Sequence, residues 1–286
     1  MLSPRVTSVI KSLLSRFQTL HLEYPVDMKP RYGYGKPAHP LLQSIISQNR
    51  AEYDQWLRKA LGHLDHLVTI RDQAALKDSL LPGWNNGFLP GLDIVMLYTI
   101  VASGQPETYI EIGSGNSTKV VAKAKADHQL KTRIVSFDPA PRAEIDQLAD
   151  SIYREPFEKA DLSLFSNLKS GDIVFVDNSH RIFPNSDATV FFMDVLPYLK
   201  EGVIVHVHDI YLPFDYPQEM CDRYYSEQYA LASFLMANPQ KYHTIMPNYY
   251  VSEDQVLNQV LNPLWEHPAM PAVEKHGGSY WIKIAQ

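Results

Sequence analysis

Hydrophobic and polar positions follow two different periodicities along this chain. Up to about residue 80, apolar residues recur at intervals of three and four, which predicts amphipathic helices. These helical stretches are Val6–Phe17, Leu41–Ile46 and Tyr53–Leu64. From Leu92 onward, apolar runs of strand length alternate with helical segments. The change in pattern predicts a helical N-terminal extension over residues 1–80, on the substrate side of an α/β domain over residues 81–286.

Short runs rich in β-branched and aromatic residues predict the strands of that domain. They are Tyr109–Ile112, Arg133–Phe137, Ile173–Val176, Val203–Val207, Tyr242–Met246 and Tyr280–Ile284. Helical stretches at Ser117–Lys125, Arg142–Asp150 and Asp187–Leu199 lie between the earlier strands. Strands that alternate with helices indicate βαβ units, so we predict a Rossmann-like, doubly wound sheet.

Composition excludes several classes of partner. The formal net charge is −6 at pH 7 and the basic residues form no cluster, so we expect no nucleic-acid partner. No apolar run reaches the roughly 18 residues of a membrane-spanning helix, so we expect no membrane partner. The single cysteine, Cys221, excludes an intramolecular disulfide framework and a thiolate-rich zinc site. These features favour a globular protein of the reducing cytoplasm.

A glycine-containing loop, Glu111-Ile-Gly-Ser-Gly-Asn-Ser-Thr118, follows the first strand of the α/β domain. Gly113 and Gly115 allow the backbone to turn sharply and a ligand to approach without meeting a Cβ atom. The next strand ends at Asp138, whose carboxylate can accept hydrogen bonds from both ribose hydroxyls of an adenosine cofactor. This order of strand, loop, helix and acidic residue predicts a site for such a cofactor.

Two residues of the loop favour one cofactor over another. Dinucleotide sites prefer a third glycine in the pattern G-x-G-x-x-G, and this chain has Thr118 at that position. Glu111, which precedes the first glycine, suits a cationic ligand better than a pyrophosphate. S-adenosylmethionine (SAM) carries an ammonium and a sulfonium group, so we predict SAM rather than NAD.

The loop resembles motif I of the class I SAM-dependent methyltransferases, D/E-x-G-x-G-x. Further motifs of that family resemble segments 136–139, 171–177 and 196–202, in matching order over roughly residues 85–210. The resemblance implies a seven-stranded sheet whose last strand is antiparallel. It also implies that Glu111 orders the loop and engages the amino group of SAM, and that Asp138 holds the ribose. The remaining candidate cofactor contacts are Gly113, Ser114, Gly115, Asn116, Ser117 and Asp177.

Polar residues also follow two strands at their carboxyl ends, in Asp177-Asn-Ser-His180 and His206-Val-His208-Asp209. The ligand crevice of an open α/β sheet lies at this edge, so we expect these side chains to converge there. His180 is the candidate base for the proton of an acceptor hydroxyl. Asp177 and Asp209 are the other candidate catalytic residues, as groups that orient the acceptor.

The same strand ends are also candidates for a metal site. Asp177, His208 and Asp209 are of the right type to bind Mg²⁺ or another divalent cation. The pattern is similar to that of catechol-type and macrolide-sugar O-methyltransferases, which place metal carboxylates after these two strands. The chain departs from the catechol type at His208, where those enzymes have a carboxylate. Both metal-dependent and metal-independent transfer therefore stay open.

The function predicted from these patterns is methyl transfer from SAM to a hydroxyl of a small-molecule acceptor. One alternative is an NAD-dependent oxidoreductase, and another is a methyltransferase-like binding or scaffold protein without turnover. The tract Arg31–Lys36 lies between prolines and predicts a loop, either a linker or a lid over a pocket. Tyr224, Tyr225 and Tyr229 fit either core packing or a contact in a homo-oligomer. No motif in the sequence identifies the acceptor.

Overall fold

The computed structural model describes residues 12–14, 20, 22–141 and 144–286. The strands in these ranges are β1 (Arg71–Asp72), β2 (Gly83–Trp84), β3 (Thr108–Ile112), β4 (Arg133–Phe137), β5 (Ser151–Tyr153), β6 (Ile173–Val176), β7 (Ile204–Val207), β8 (Tyr242–Pro247) and β9 (Tyr280–Ile284). The α-helices are α1 (Pro40–Ser47), α2 (Arg50–Leu61), α3 (Leu64–Leu67), α4 (Gly91–Gly104), α5 (Asn116–Asp127), α6 (Ser163–Ser166), α7 (Asp187–Val190), α8 (Gln218–Cys221), α9 (Glu227–Ala237), α10 (Asn248–Glu253) and α11 (Asn262–Trp265). The predicted helix at Val6–Phe17 lies outside the described residues except at positions 12–14.

The seven strands β3–β9 form one mixed sheet in the order β5-β4-β3-β6-β7-β9-β8. Neighbours from β5 to β7 pair in parallel, whereas β9 pairs antiparallel with both β7 and β8. The inner strands β6 and β7 are buried along their whole length and are apolar except at His206, as expected for the centre of a doubly wound sheet. The predicted fold class, including the antiparallel last strand, is confirmed.

The predicted helix Arg142–Asp150 is wrong over residues 144–150. Residues 146–148 form a turn there, closed by the amide of Leu148 on the carbonyl of Ile145. The chain must then return to the sheet, because Asp150 pairs with Ile134 through both its backbone and its carboxylate. This pairing starts β5, a strand of three residues that is too short to leave a periodic pattern in the sequence.

The helices α1–α3 share the apolar core of the sheet. Tyr53 and Leu57 of α2 are fully buried, and the hydroxyl of Tyr53 donates to the carbonyl of Ile46 at 2.7 Å. The interval between α3 and α4 contains a parallel pairing of β1 with β2, which the sequence pattern did not predict. A two-residue strand has no measurable periodicity. The division into an extension and a domain at residue 80 stays a prediction.

The predicted helix Asp187–Leu199 is irregular. It begins as α7, where the side chain of Ser186 accepts a hydrogen bond from the amide of Thr189, then widens into a π-turn at Phe191–Val195. A 3₁₀ turn at Leu196–Tyr198 ends it, with Pro197 inside that turn. No helix in the described ranges is long and apolar enough to cross a membrane.

Candidate active site

The loop between β3 and α5 is held by close backbone contacts at Gly113. This residue has a φ of 83°, a left-handed conformation that favours glycine, and its amide donates to the carbonyl of Phe137 at 2.9 Å. A Cβ atom at Gly113 would lie 1.8 Å from the carbonyl oxygen of Asp177. A Cβ at Gly115, in contrast, would meet no atom within 4 Å. Gly113 thus lies where the ends of β3, β4 and β6 meet. The space next to Gly115 is free of protein atoms.

Glu111 lies beneath this loop and is fully buried. Its carboxylate accepts hydrogen bonds from the hydroxyl of Thr118 at 2.5 Å and from that of Ser117 at 3.2 Å. The same Thr118 hydroxyl accepts from the amide of Gly115 at 3.1 Å, so Glu111 ties the loop to the first turn of α5. Burial raises the pKa of Glu111 to about 8, against the opposing effect of these hydroxyl donors.

Asp138 lies half-buried at the end of β4 and faces the same loop. One carboxylate oxygen accepts from the amide and the hydroxyl of Ser114, at 2.9 and 3.2 Å. The other accepts from the amide of Ala140 at 2.8 Å. A carboxylate has about four acceptor positions, so Asp138 retains capacity for further donors. Asn116 is half-buried, Ser117 is buried, and the side-chain amide of Asn116 donates to Asn86 at 3.3 Å.

The structure brings the three candidate catalytic residues together. Nε2 of His180 lies 3.4 Å from Asp177 Oδ1 and 3.5 Å from Asp209 Oδ2. His180 and Asp209 both have positive φ values, 61° and 53°, which are uncommon for residues other than glycine. Such backbone conformations often occur at functional sites. The side chain of Asp177 is 38% exposed, so this group of side chains is open to solvent on that side.

Glu227, at the start of α9, is a residue of this cluster that the sequence analysis missed. Its carboxylate, which is almost fully buried, pairs with Nδ1 of His180. The imidazole also stacks on the ring of Tyr225, with centroids 4.6 Å apart. Glu227 and Tyr225 therefore fix the ring so that Nε2 faces Asp177 and Asp209. Nothing in the sequence pattern sets Glu227 apart, because it stands 47 residues from His180 at an ordinary helix start.

Asp93 is the second missed residue, and it supports His208. Its buried carboxylate lies 3.4 Å from Nε2 of His208 and accepts from the amide of Gly278 and from the side-chain amide of Asn248. Nδ1 of His208 faces Asp177 and Asp209 at 3.7 and 3.6 Å. A signal for Asp93 did exist in the sequence, since it is the one acidic residue of the otherwise apolar helix α4.

These contacts decide the charge of the cluster. Burial alone would lower the pKa of His180 and of His208, but the surrounding carboxylates outweigh it and raise both pKa values well above the ordinary one. Burial would raise the pKa of Asp177, and the two histidines instead hold it well below its usual value. His206 differs, because it lies in the core against Phe175 and burial keeps its pKa well below normal.

The predicted metal ligands Asp177, His208 and Asp209 are neighbours, but their arrangement does not fit a metal ion. In the part of the chain that the structure describes, no group of three or more His, Cys, Asp or Glu side chains has a geometry that could hold one. His208 occupies the space between the two carboxylates as their ion-pair partner. Metal dependence therefore stays a prediction without support from this geometry.

A cleft of about 170 Å³ opens beside the cluster. Asp209 and Tyr211 line it on one side, and Phe88, Glu274 and His276 line it on the others. The cleft borders Asn85 and Gly87, in the loop whose Asn86 contacts Asn116 at the start of α5. The cleft therefore reaches Asp209 on one side and the loop that contacts the start of α5 on another.

The tract Arg31–Lys36 packs on the segment that follows β7. The carboxylate of Asp215 accepts from the amides of Arg31 and Tyr32, at 2.5 and 3.1 Å. A Cβ at Gly33 would lie 2.8 Å from Phe214, so the two segments are in close contact. Phe214 and Tyr211 both contact Tyr249 through their rings. The tract is thus one layer of side chains away from the wall of the cleft.

A family model and several solved structures are similar to this chain. Residues 110–210 match a family described as a methyltransferase domain. The chain is similar to an S-adenosylhomocysteine-bound methyltransferase of Podospora anserina, at 14% identity over 80% of this chain and 88% of that chain, with a TM-score of 0.38. It is also similar to an O-methyltransferase from Bacillus cereus in complex with S-adenosylhomocysteine, at 13% identity over 88% and 94% of the chains, with a TM-score of 0.41. No curated protein matches the sequence.

The matched segment begins in β3 and ends just after β7. It contains the glycine loop, Asp138 at the end of β4, and the strand ends that carry Asp177 and Asp209. These are the segments in which the sequence motifs were found. The family match confirms the resemblance of residues 110–210 to a methyltransferase domain.

Proposed function

We propose that this protein transfers a methyl group from SAM to a hydroxyl of a small-molecule acceptor. The observation that carries the proposal is the contact between Gly113 and the backbone of Asp177, which places the glycine loop directly against the cluster of His180 and Asp209. A cofactor on the loop and an acceptor in the cleft would then meet at one point. SAM, when bound there, supplies a methyl group on a sulfonium for in-line transfer.

The residues of the loop fit such a cofactor. Gly115 leaves open space for close approach of a ligand to the backbone. Asp138 is half-buried and has acceptor capacity for ribose hydroxyls. The nearby carboxylates Asp177 and Asp209 favour a positive charge such as that of the sulfonium. Glu111 is fully buried beneath the loop, so its proposed role is to order the loop.

His180 is the proposed general base for the acceptor hydroxyl. Its Nε2 faces the open side of the cluster, and Glu227 holds the ring through Nδ1. The surrounding carboxylates raise the pKa of His180 and so favour its protonated form, and only the neutral imidazole can take a proton from the acceptor. Once protonated again, the imidazolium is stabilised by Glu227, Asp177 and Asp209. We therefore expect activity to rise with pH through the pKa of His180.

The extension over residues 1–80 is proposed to act on the acceptor side. Its tract Arg31–Lys36 rests on Phe214 and Asp215, next to Tyr211 in the wall of the cleft. A lid at this position would exclude water from the cleft when an acceptor binds. The proposed setting is the cytoplasm, where SAM is the donor and neither nucleic acid nor a membrane is a partner.

Isothermal titration with SAM and with S-adenosylhomocysteine tests the proposal. We expect both to bind, and Asp138→Ala to weaken that binding by about 100-fold or more, because two ribose hydrogen bonds to a charged group are lost. Asp161→Ala is the matched control, an exposed aspartate that caps the turn before Ser163. Absence of binding to the wild type would remove the proposal. Binding without turnover across a broad acceptor panel would instead favour a scaffold protein.

A further inference from the structure

A second cavity, of about 290 Å³, lies next to the acceptor cleft. Six of the residues around it are apolar and six are polar. The apolar side chains that line it are Leu57, Leu92, Val251, Leu257, Leu261 and Trp265. All of these except Trp265 are buried and form the floor of the cavity, whereas the polar residues are more exposed and form its rim. Such a cavity favours an apolar group over a polar one.

The volume sets the size of that group. An apolar cavity of about 150 Å³ in another protein holds a benzene molecule, so a cavity of 290 Å³ accommodates roughly ten non-hydrogen atoms. This is the size of a medium-length alkyl chain or of one substituted aromatic ring. It is too small for SAM, which we place on the opposite side of the cluster.

The segment 274–276 separates the cavity from the acceptor cleft. It is joined to the start of α4, where the amide of Gly91 donates to the carbonyl of Glu274 at 2.8 Å and that of Leu92 donates to the carbonyl of His276 at 3.1 Å. Glu274 lines the cleft, Lys275 lines the cavity, and the half-buried His276 lines both. The two spaces therefore share a wall made by one imidazole side chain.

We propose that this cavity is the apolar half of the acceptor site, and that the acceptor is an amphiphile. Its hydroxyl-bearing end lies in the cleft at Asp209, and its apolar group extends past His276 into the cavity. This inference rests on the proposed function, because it takes the cleft as the place of the acceptor. It adds the acceptor's chemical class, an alcohol or phenol with an apolar group of up to roughly ten non-hydrogen atoms.

Straight-chain alcohols from 1-butanol to 1-octanol are the probes, with affinities for the full-length protein measured by ligand-detected NMR titration in the presence of S-adenosylhomocysteine. Affinity should increase about three- to fourfold for each added methylene until the cavity is full, from the transfer free energy of a buried methylene. Asp209→Asn should weaken every alcohol by about tenfold, since a charge-assisted hydrogen bond becomes a neutral one. It should leave the increment per methylene unchanged.

Leu257→Trp should abolish the increment by filling the cavity, whereas Val256→Trp, at the adjacent position that is 67% exposed, should retain it. Asn258→Trp at the exposed rim serves as a second filling variant, in case the buried substitution prevents folding. Affinities that do not depend on chain length would overturn the inference. Affinities that Asp209→Asn leaves unchanged would also overturn it, because the cavity would then be a site separate from the acceptor's. Titration of S-adenosylhomocysteine on the same samples tests the proposed function independently.

Discussion

Glu111 provides the sharpest test of the electrostatics beneath the cofactor loop. It is fully buried, and burial raises its pKa to about 8, so it is mostly protonated at neutral pH. A glutamine has the shape of a protonated glutamate. Its amide can still accept from the hydroxyl of Thr118, and the buried hydroxyl of Ser136 lies beside it without another partner. We therefore expect Glu111→Gln to leave the fold nearly as stable as the wild type at pH 5.

The magnitude follows from the pKa difference between the folded and unfolded chain. An acid whose pKa is raised on folding contributes stability below its unfolded pKa and loses it as pH rises through the folded value. Between the ordinary value of 4.5 and about 8, at 1.36 kcal/mol per pKa unit, the loss is about 5 kcal/mol. Roughly 4 kcal/mol of this loss occurs between pH 5 and pH 9. The glutamine variant has no carboxyl group at this position, so its stability does not fall for this reason.

Urea unfolding followed by circular dichroism at pH 5, 6, 7, 8 and 9 measures this difference. The free energy of unfolding of Glu111→Gln minus that of the wild type should increase by several kcal/mol across the series, because all other titrating groups cancel. Glu107→Gln is the matched control, since Glu107 is 71% exposed in its pair with Lys169 and exposed ion pairs contribute little to stability. A Glu111 variant that is destabilised equally at every pH would show that the carboxyl is ionised in the folded protein and refute this reasoning.

Three further predictions concern the loop, the base and the metal. Gly113→Ala should lower the free energy of unfolding by at least about 3 kcal/mol and abolish the binding of S-adenosylhomocysteine in a titration, because the added Cβ would meet the carbonyl of Asp177. Gly115→Ala has free space at its Cβ and should keep most of the wild-type stability, so equal effects of the two substitutions would contradict the steric explanation. Glu227→Gln removes a negative charge that raises the pKa of His180, so the NMR titration midpoint of His180 and the rise of activity with pH should both move to lower pH. An unchanged midpoint would show that Glu227 does not raise this pKa. If the cluster works without a metal ion, full activity should survive EDTA, and a loss restored by Mg²⁺ would establish metal dependence.

Much of the fold was readable from local patterns. Parallel strands buried on both faces are mostly apolar, so β6 and β7 were visible as apolar runs interrupted only by His206. Secondary structure that depends on its neighbours was not visible. β5 is three residues long and exists because β4 offers an edge beside it, and the turn at 146–148 replaces a predicted helix because Asp150 must return to that edge.

The candidate site shows the same division. Asp177, His180 and Asp209 come at the ends of consecutive parallel strands, and the carboxyl ends of such strands meet at one edge. Asp93 and Glu227 come from helices far away in the chain, and their role depends on packing against those strand ends. No spacing in the sequence encodes a contact between residues that are 47 or more positions apart.

The sequence by itself determined the alternation of strands and helices, the loop at Gly113 and the residue types that end the strands, because each is a local property of neighbouring residues. Only the tertiary structure decided the charges of those residues and the shape of the space around them. The pKa of a histidine depends on which carboxylates surround it, and these come from four separate segments here. A cavity likewise exists only between packed elements, so both the proton chemistry and the acceptor site come from the folded chain.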